Sequence, residues 1–299
     1  MTTTRPPAAG PAADVPDAAR ARAAGLARTG RSFSLAATRF PGMPLFPGHP
    51  QFQVTSYRTP QGLRQAGENL WAPHPNEVGL GCMTEVVSGT VHSGAHVDAL
   101  AHITIGDDNR WYGGANAAEH LGDFGPTVGD ASSMPAMFTR GVLLDLAGHR
   151  GVDCLPAGAA VDAAEVEDIC AAQGVTIGQW DVVLFRTGYM GLWPDRARMA
   201  EHLTPGPDIS VARMLTERGV IAAGSDTETF EVQPAPDPGS PANPQPVHVH
   251  LLVDNGVYIM ESLDLEELAA ARVYEFLFVA LPLKIAGATG SMVDPLAVV

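Results

Sequence analysis

Three histidines and an aspartate lie close together in the segment VHSGAHVDALAH, which ends at His102. The chain contains only 10 histidines, so this segment holds a large share of them. His92, His96 and Asp98 offer two imidazoles and one carboxylate, a set that suits a divalent cation such as Zn or Mn. Catalytic metal sites commonly use three protein ligands and leave one position open. A structural hydrogen-bond network is the alternative, but four clustered groups favour a metal site.

His102 is the fourth group, and it follows Asp98 by four residues. As a general base it would take a proton from an attacking water and return it to the leaving group. It could equally be a further metal ligand or a packing residue. We favour an active-site role for it, and the spacing leaves base and ligand both open.

A second polar cluster lies far along the chain, at His248 and His250 and at Glu261. The two histidines alternate, so an extended segment would point only one of them inward. Glu261 follows the apolar run VYIM, where an unpaired carboxylate would be costly to bury and a cation would satisfy it. A solvated strand end explains Glu261 equally well, so spacing alone leaves this cluster open.

The local conformation of the histidine segment follows from Gly94. An interior glycine costs a helix about 1 kcal/mol relative to alanine, which favours a strand and turn here. The β-branched residues 84–91 predict a strand that runs directly into the cluster. In such an extended segment His96 and Asp98 project from the same face.

The rest of the chain predicts a mixed α/β core, since strand-like and helix-like segments alternate. Residues 39–52 contain four prolines and predict a loop, and so long an irregular segment tends to be functional or to cover a site. Residues 1–30, rich in alanine and proline, predict a flexible N-terminal extension with a short helix, followed by one domain over residues 31–299. Predicted strands lie at 140–146, 181–186, 220–224 and 276–283, and predicted helices at 163–173, 210–218 and 265–271.

Bulk composition excludes several classes of partner. The net charge of -15 gives no electrostatic footprint for nucleic acid or an anionic membrane. The three cysteines form no CxxC motif, so a disulfide framework is not expected and a reducing compartment fits. No apolar run approaches the roughly 18 residues of a membrane helix, and no signal-peptide core is present. We expect a soluble, cytoplasmic protein that acts on a small molecule.

The segment HSGAHVDALAH resembles the HxGTHxDxPxH signature of the metal-dependent cyclase family, which includes bacterial kynurenine formamidase and isatin hydrolase. The segments RGVLLDL, VVLFRTG and PVHVHLLVDNGVYIMESLDLEEL resemble the family as well. The resemblance implies a single-domain swivelling β/β/α-type cyclase fold with a mixed central sheet. It also implies a homodimer or homotetramer and a hydrolase of amide, lactam or formamide C–N bonds that uses one or two Mn or Zn ions.

The resemblance also implies roles for single residues. His102 would be the catalytic histidine, or a ligand where a second metal is bound. His248 is preferred to His250 as the family's distal histidine because it follows a Pro-Val pair, as in the family pattern. The implied metal ligands are His92, His96, Asp98, His248 and Glu261.

Two departures from the family signature leave every ligand in place but open the choice of substrate. Ala95 replaces the usual threonine and Leu100 the usual proline. Trp111, Tyr112 and Phe230 are the candidate walls of the substrate pocket. One alternative function is a metal-dependent cyclase or dehydratase of secondary metabolism, and another is a non-catalytic metal-binding or ligand-binding protein.

Overall fold

The structure is a computed structural model, and it describes residues 9–234 and 242–299. In these residues the backbone forms fifteen strands, most of them short. In chain order they are β1 (Ser32–Ser34), β2 (Gln53–Arg58), β3 (Thr84–Ser88), β4 (His96–Asp98), β5 (Leu121–Gly122), β6 (Gly125–Pro126), β7 (Met137–Asp145), β8 (Ala160–Val161), β9 (Val182–Arg186), β10 (Gly206–Pro207), β11 (Ala222–Ser225), β12 (Tyr258–Glu261), β13 (Glu275–Ala280), β14 (Gly290–Met292) and β15 (Leu296–Val298).

Helices connect these strands, and the same described residues contain nine α-helices. They are α1 (Asp17–Ala24), α2 (Pro60–Ala66), α3 (Ala117–His120), α4 (Leu146–Arg150), α5 (Ala163–Gln173), α6 (Arg196–Glu201), α7 (Ile209–Glu217), α8 (Pro246–His248) and α9 (Glu266–Ala270). A π-helix, Val249–Asp254, continues directly from α8. Short 3-10 helices occur at Pro11–Asp14, Tyr112–Gly114, Ala131–Ser133 and Tyr189–Leu192. No helix in the described ranges is both long and apolar enough to cross a bilayer.

Nine strands form one mixed sheet in the order β1-β15-β13-β7-β9-β11-β12-β4-β14. The four central strands β7, β9, β11 and β12 run parallel to one another. They read as nearly continuous apolar runs because a parallel sheet is covered on both faces. Every remaining pairing in this sheet is antiparallel. The predicted single-domain α/β fold with a mixed central sheet is therefore confirmed.

Helix α5 shows how local signals set the element boundaries around this sheet. The Asp162 side chain accepts a hydrogen bond from the Glu165 backbone N–H at 2.9 Å, which caps the first turn. Gly174 ends the helix in the left-handed region with φ 69°. The inner face of the helix buries Val166 and Ile169 in the core. The predicted helix at 163–173 matches this element.

The N-terminal segment differs from the predicted flexible extension wherever it is described. Helix α1 packs against β7 and β13 and buries Ala19 and Ala23. Just before it, Ala12 and Val15 are also buried. Small alanine side chains allow the helix to lie close to the sheet, so the alanine-rich composition reflects close packing. Residues 1–8 of that prediction lie outside the described residues.

The predicted strand at 84–91 does not run into the histidine segment. It is β3, which ends at Ser88 and, within the described ranges, pairs with β2 alone in an exposed two-stranded ribbon. The chain then turns, with Gly94 at φ 58°, before it enters the central sheet at β4. The change of sheet was not visible locally, because β-branched residues favour an exposed ribbon and a core strand alike.

Candidate metal centre

Strand β4 lies between β12 and β14, and this position assembles the centre of the site. In the β4–β12 register His96 stands opposite Glu261. The His96 Nε2 atom lies 3.3 Å from Glu261 Oε2 and 3.6 Å from Asp98 Oδ1. All three side chains are buried. Local alternation along β4 therefore brings His96 and Asp98 to one side, and strand pairing adds Glu261.

His92 reaches the same centre from the turn that precedes β4. Its Nδ1 atom lies 2.9 Å from Asp98 Oδ1, and its Nε2 atom lies 3.2 Å from the Thr289 hydroxyl. The ring lies close over the backbone of β14 at Gly290. A Cβ at Gly290 would stand 2.6 Å from the His92 ring, so this position requires glycine.

Three polar atoms in this centre are buried and have no hydrogen-bond partner in the described residues: His92 Nδ1 and both carboxylate oxygens of Asp98. The short contact between His92 Nδ1 and Asp98 Oδ1 lacks the geometry of a hydrogen bond. Leaving such groups unsatisfied in the interior carries a large desolvation penalty. A cation among these atoms would satisfy them, and imidazole nitrogens with carboxylate oxygens are suitable donors for Zn or Mn. The residues therefore fit a divalent metal.

Asp98 belongs to two possible ligand groups. The first is His92, His96 and Asp98, and the second is Asp98, His248 and Glu261. Within each group one ligand atom per residue lies within 4.8 Å of the others. These residues could hold one cation or two, with Asp98 shared between them.

The structure places the two candidate distal histidines differently. His248 is buried, with Nε2 at 3.2 Å from Glu261 Oε1. His250 is only half-buried, and its Nε2 atom shares a 2.9 Å hydrogen bond with the Thr216 hydroxyl. The site cluster therefore includes His248, and His250 contacts α7 instead.

Glu231 orients His248 and was not singled out by the sequence. Its carboxylate accepts hydrogen bonds from His248 Nδ1–H at 2.6 Å and from the His248 backbone N–H at 2.9 Å. The Val247 backbone N–H donates to its other oxygen at 3.1 Å. Such outer partners fix the tautomer and ring orientation of metal-binding histidines. A bond of 2.7 Å between His96 Nδ1 and the Gly94 carbonyl does the same for His96.

The buried ionisable groups in the centre shift one another's pKa values. Burial lowers the pKa of His248, but its bonds to Glu231 and Glu261 outweigh burial and raise the pKa to about 10. For Asp98, burial opposes ionisation, while His102, His92 and His96 hold its pKa well below the usual range. The centre thus favours a carboxylate at Asp98. A cation would have to displace protons from the imidazoles to bind.

His102 lies beside this cluster and belongs to neither ligand group. Its ring centroid is 4.2 Å from that of His92, and its side chain lines a cavity above the centre. Burial lowers the pKa of His102 to about 4, with His92 and His248 adding to the effect and Asp98 opposing it. The imidazole is therefore neutral near pH 7 and can accept a proton.

The cavity has a volume of about 240 Å³, and the loop at 39–52 forms one of its walls. This agrees with the prediction that the proline-rich loop is functional or covers a site. Its His49 ring stacks on His92 with centroids 5.3 Å apart. The loop is tied to the histidine segment by Arg39, which donates to the carbonyls of Ser93 and Val293 at 2.8 and 3.0 Å and also to that of Ala95.

Glu228 also lines this cavity, and the sequence did not predict it as a site residue. Burial, together with the neighbouring charge of Glu261, raises the pKa of Glu228 to about 7. Neither His49 nor Glu228 carries a local signal, since a loop histidine and a loop glutamate are ordinary in sequence. Only the fold brings them to the cavity.

The three aromatic residues predicted to line the pocket lie elsewhere. Trp111 is buried in a separate small cluster, and its Nε1–H donates to the Val128 carbonyl at 3.0 Å. Tyr112 packs against the backbone at Gly256. Phe230 is fully buried, with an edge contact to Phe185. Trp111 and Phe230 are buried in the protein interior, Tyr112 is half-buried, and none of the three lines the cavity, which corrects that prediction.

The comparisons with known proteins agree with this fold and site. The sequence profile of the Cyclase family matches residues 33–232. Because that match spans more than half of the chain, the protein belongs to the Cyclase family, and the resemblance noted from the sequence is confirmed. No curated protein matches the chain.

Solved structures resemble the chain over most of its length. A novel cyclase shares 27% identity with a TM-score of 0.83, covering 97% of this chain and 94% of its own. Isatin hydrolase A from Labrenzia aggregata, solved with benzyl benzoate, shares 22% identity with a TM-score of 0.63, covering 89% and 93%. A predicted metal-dependent hydrolase from Bacillus stearothermophilus shares 18% identity with a TM-score of 0.53, covering 90% and 98%.

Proposed function

We propose that this protein is a metal-dependent hydrolase that cleaves the C–N bond of a small amide, lactam or formamide. The observation that carries the proposal is Asp98, a fully buried carboxylate whose two oxygens have no hydrogen-bond partner in the described residues. It is shared by two ligand groups. Residues of both groups line the cavity above it. Its structural similarity to an isatin hydrolase and to a predicted metal-dependent hydrolase supports the same reaction class.

The proposed cofactor is Mn or Zn, as one or two ions. His92, His96 and Asp98 would hold the first ion, and Asp98, His248 and Glu261 would hold a second. When bound, such a cation polarises a substrate carbonyl and lowers the pKa of water.

We assign general-base catalysis to His102, because its imidazole lines the cavity beside His92 and burial lowers its pKa. Its neutral imidazole would accept a proton from the attacking water as the water oxygen forms a bond to the carbonyl carbon. The C–N bond then breaks, and His102 returns the proton to the leaving nitrogen. Burial of the cluster strengthens these electrostatic interactions because it excludes bulk water.

The test combines elemental analysis of the purified protein with a turnover screen of N-formylkynurenine, isatin and simple lactams. Hydrolysis adds one water to the product mass. Turnover without that gain would support the cyclase or dehydratase alternative. Bound metal without turnover on any substrate would support a non-catalytic binding protein.

A matched pair of histidine variants tests the metal role. His96→Ala is expected to lose bound metal and activity together. His250→Ala removes the neighbouring histidine that contacts Thr216 and is expected to keep both. If His96→Ala binds metal at the wild-type level and retains full activity, the proposed mechanism is wrong.

A further inference from the structure

A second cavity, of about 370 Å³, adjoins the one above the metal centre. We call it the annex. The annex and the first cavity are neighbours that share part of their wall. These shared residues are Pro44, Leu45, Phe46, His49, Glu228 and Thr229.

Apolar surface makes up the larger part of the annex wall, beside polar side chains that include Arg196, Gln51 and Glu228. Tyr189 and Met199 contribute deeply buried surface, and Leu203 lies at the rim, 55% exposed. Leu45 and Phe46, from the loop at 39–52, line both cavities. An apolar group placed here would lose contact with water on several sides, which favours its binding.

Several polar groups in the annex wall are bonded to the protein itself, whereas Arg196 and Gln51 also line it and make no side-chain hydrogen bond or ion pair in the described residues. The Tyr189 hydroxyl donates to the Met199 carbonyl at 3.0 Å. The hydroxyls of Thr204 and Thr229 share a 2.7 Å hydrogen bond. His202 Nε2 lies 2.9 Å from the Leu155 carbonyl oxygen and bonds to it. These bonded groups have little capacity left for a polar ligand, and the surface of Tyr189, Met199 and Leu203 beside them is available to an apolar group.

Glu228 is different, since it stands in the wall of both cavities with a carboxyl group that makes no hydrogen bond in the described part of the chain. Its position places a hydrogen-bonding group between the metal centre and the annex. A substrate that spans the two cavities would present its amide N–H near this carboxyl group. Burial makes such a bond more favourable than it would be in water.

We propose that the substrate is an amide-type compound carrying an extended apolar substituent, which occupies the annex while the scissile bond lies over Asp98. Leu45, Met199 and Leu203 would contact the substituent, and Glu228 would orient the group between the two parts. The substrate would therefore be larger than a bare lactam or formamide. This inference rests on the proposed hydrolase function for the placement of the scissile bond.

The experiment measures binding to the metal-loaded protein, independently of turnover. The probes are benzohydroxamate and its 4-methyl, 4-ethyl, 4-propyl and 4-butyl derivatives, because a hydroxamate chelates divalent metals. Calorimetry gives the dissociation constant of each. Each added methylene is expected to tighten binding about fourfold while the annex fills.

Two matched variants locate the effect. Leu203→Glu places a charge in the annex wall and is expected to abolish the dependence on alkyl length. Leu121→Glu makes the same change at a comparably exposed leucine, 58% exposed in β5, and is expected to keep it. A dissociation constant independent of alkyl length in the wild type, identical behaviour of the two variants, or no binding of any hydroxamate would each overturn the annex proposal.

Hydrolysis of 4-alkylformanilides, assayed in parallel, separates this inference from the proposed function. If binding depends on alkyl length but no formanilide is hydrolysed, the annex remains as a binding site and the hydrolase proposal loses support. If short formanilides are hydrolysed as fast as long ones, the hydrolase proposal stands and the annex has no role in selecting the substrate.

Discussion

Replacement of Glu231 by glutamine tests the arrangement of the metal centre most directly. Glu231 belongs to neither ligand group but holds His248 through two hydrogen bonds, of 2.6 and 2.9 Å. Its other oxygen accepts the Val247 N–H at 3.1 Å. Glutamine has the same shape, but it offers only one acceptor oxygen. If that oxygen keeps the bonds to His248, the amide NH₂ faces the Val247 N–H, and one buried donor loses its acceptor.

The size of the effect follows from these contacts. A hydrogen bond to a charged group contributes about 1.5–3 kcal/mol. Loss of a partner that orients a ligand commonly lowers metal affinity about 10–100-fold, which corresponds to about 1.4–2.7 kcal/mol. We therefore expect Glu231→Gln to weaken the site formed by Asp98, His248 and Glu261 by about 10–100-fold. The site formed with His92 and His96 should change little.

The assay is a competition titration of the metal-free protein with Mn²⁺ or Zn²⁺ against a chromophoric chelator, fitted for two sites. Asp226→Asn is the matched control. Asp226 is equally buried and also accepts backbone N–H bonds, from Thr187 and Gly188, but it contacts no ligand of the centre. The control should lose stability without losing metal affinity. Wild-type affinity at both sites in a folded Glu231→Gln protein, or an equal loss in the control, would refute the reasoning.

Four further predictions follow from the structure. His102→Gln should lower kcat about 10²–10⁴-fold with unchanged metal content, and a loss of metal instead would identify His102 as a ligand. Gly290→Ala should displace the His92 ring and weaken metal binding about tenfold or more. Gly191→Ala, whose new Cβ has no atom of the described residues within 4 Å, should bind metal normally in the same titration. Burial raises the pKa of Asp226 from 3.8 to about 6, so the folded protein holds this proton to a higher pH than the unfolded chain does. The contribution of the protonated carboxyl to the free energy of unfolding is therefore present at low pH and is lost as the pH rises through 6. Urea denaturation of the wild type and Asp226→Asn should therefore show stability curves that diverge between pH 4 and 6, and parallel curves would contradict the raised pKa. The expected homodimer or homotetramer stays a prediction, and the β2–β3 ribbon offers a surface for it in the exposed side chains of Val54, Tyr57, Val86 and Val87. Light scattering should show less association for Val87→Asp than for the wild type. A monomeric wild type would exclude the predicted oligomer.

Much of the fold could be predicted because its signals are local. Helix α5 was predicted at its observed bounds, since an aspartate cap and a left-handed glycine set both ends. The central parallel strands are continuous apolar runs, which identifies them without knowledge of their neighbours. The final strands β14 and β15 were missed because three residues are too few to show an alternating pattern.

The sequence by itself determined the chemical content of the metal centre. His96 and Asp98 are two residues apart on a strand, so local geometry alone places them side by side. The family resemblance then pointed to His248 and Glu261. Residue types, spacing and a motif were sufficient for these assignments because each depends on short segments of the chain.

The tertiary structure alone decided how the segments meet. Pairing of β4 with β12 sets Glu261 opposite His96, and pairing with β14 places Gly290 beneath His92. Glu231, His49 and Glu228 reach the site through loops whose sequences show no periodic pattern. Trp111 was predicted to line the cavity, but it is instead buried in a small cluster with residues of its own loop. An aromatic side chain is suited to both positions, so its type alone could not distinguish them. Strand register and side-chain burial depend on contacts between distant segments, and a single local stretch of sequence does not encode them.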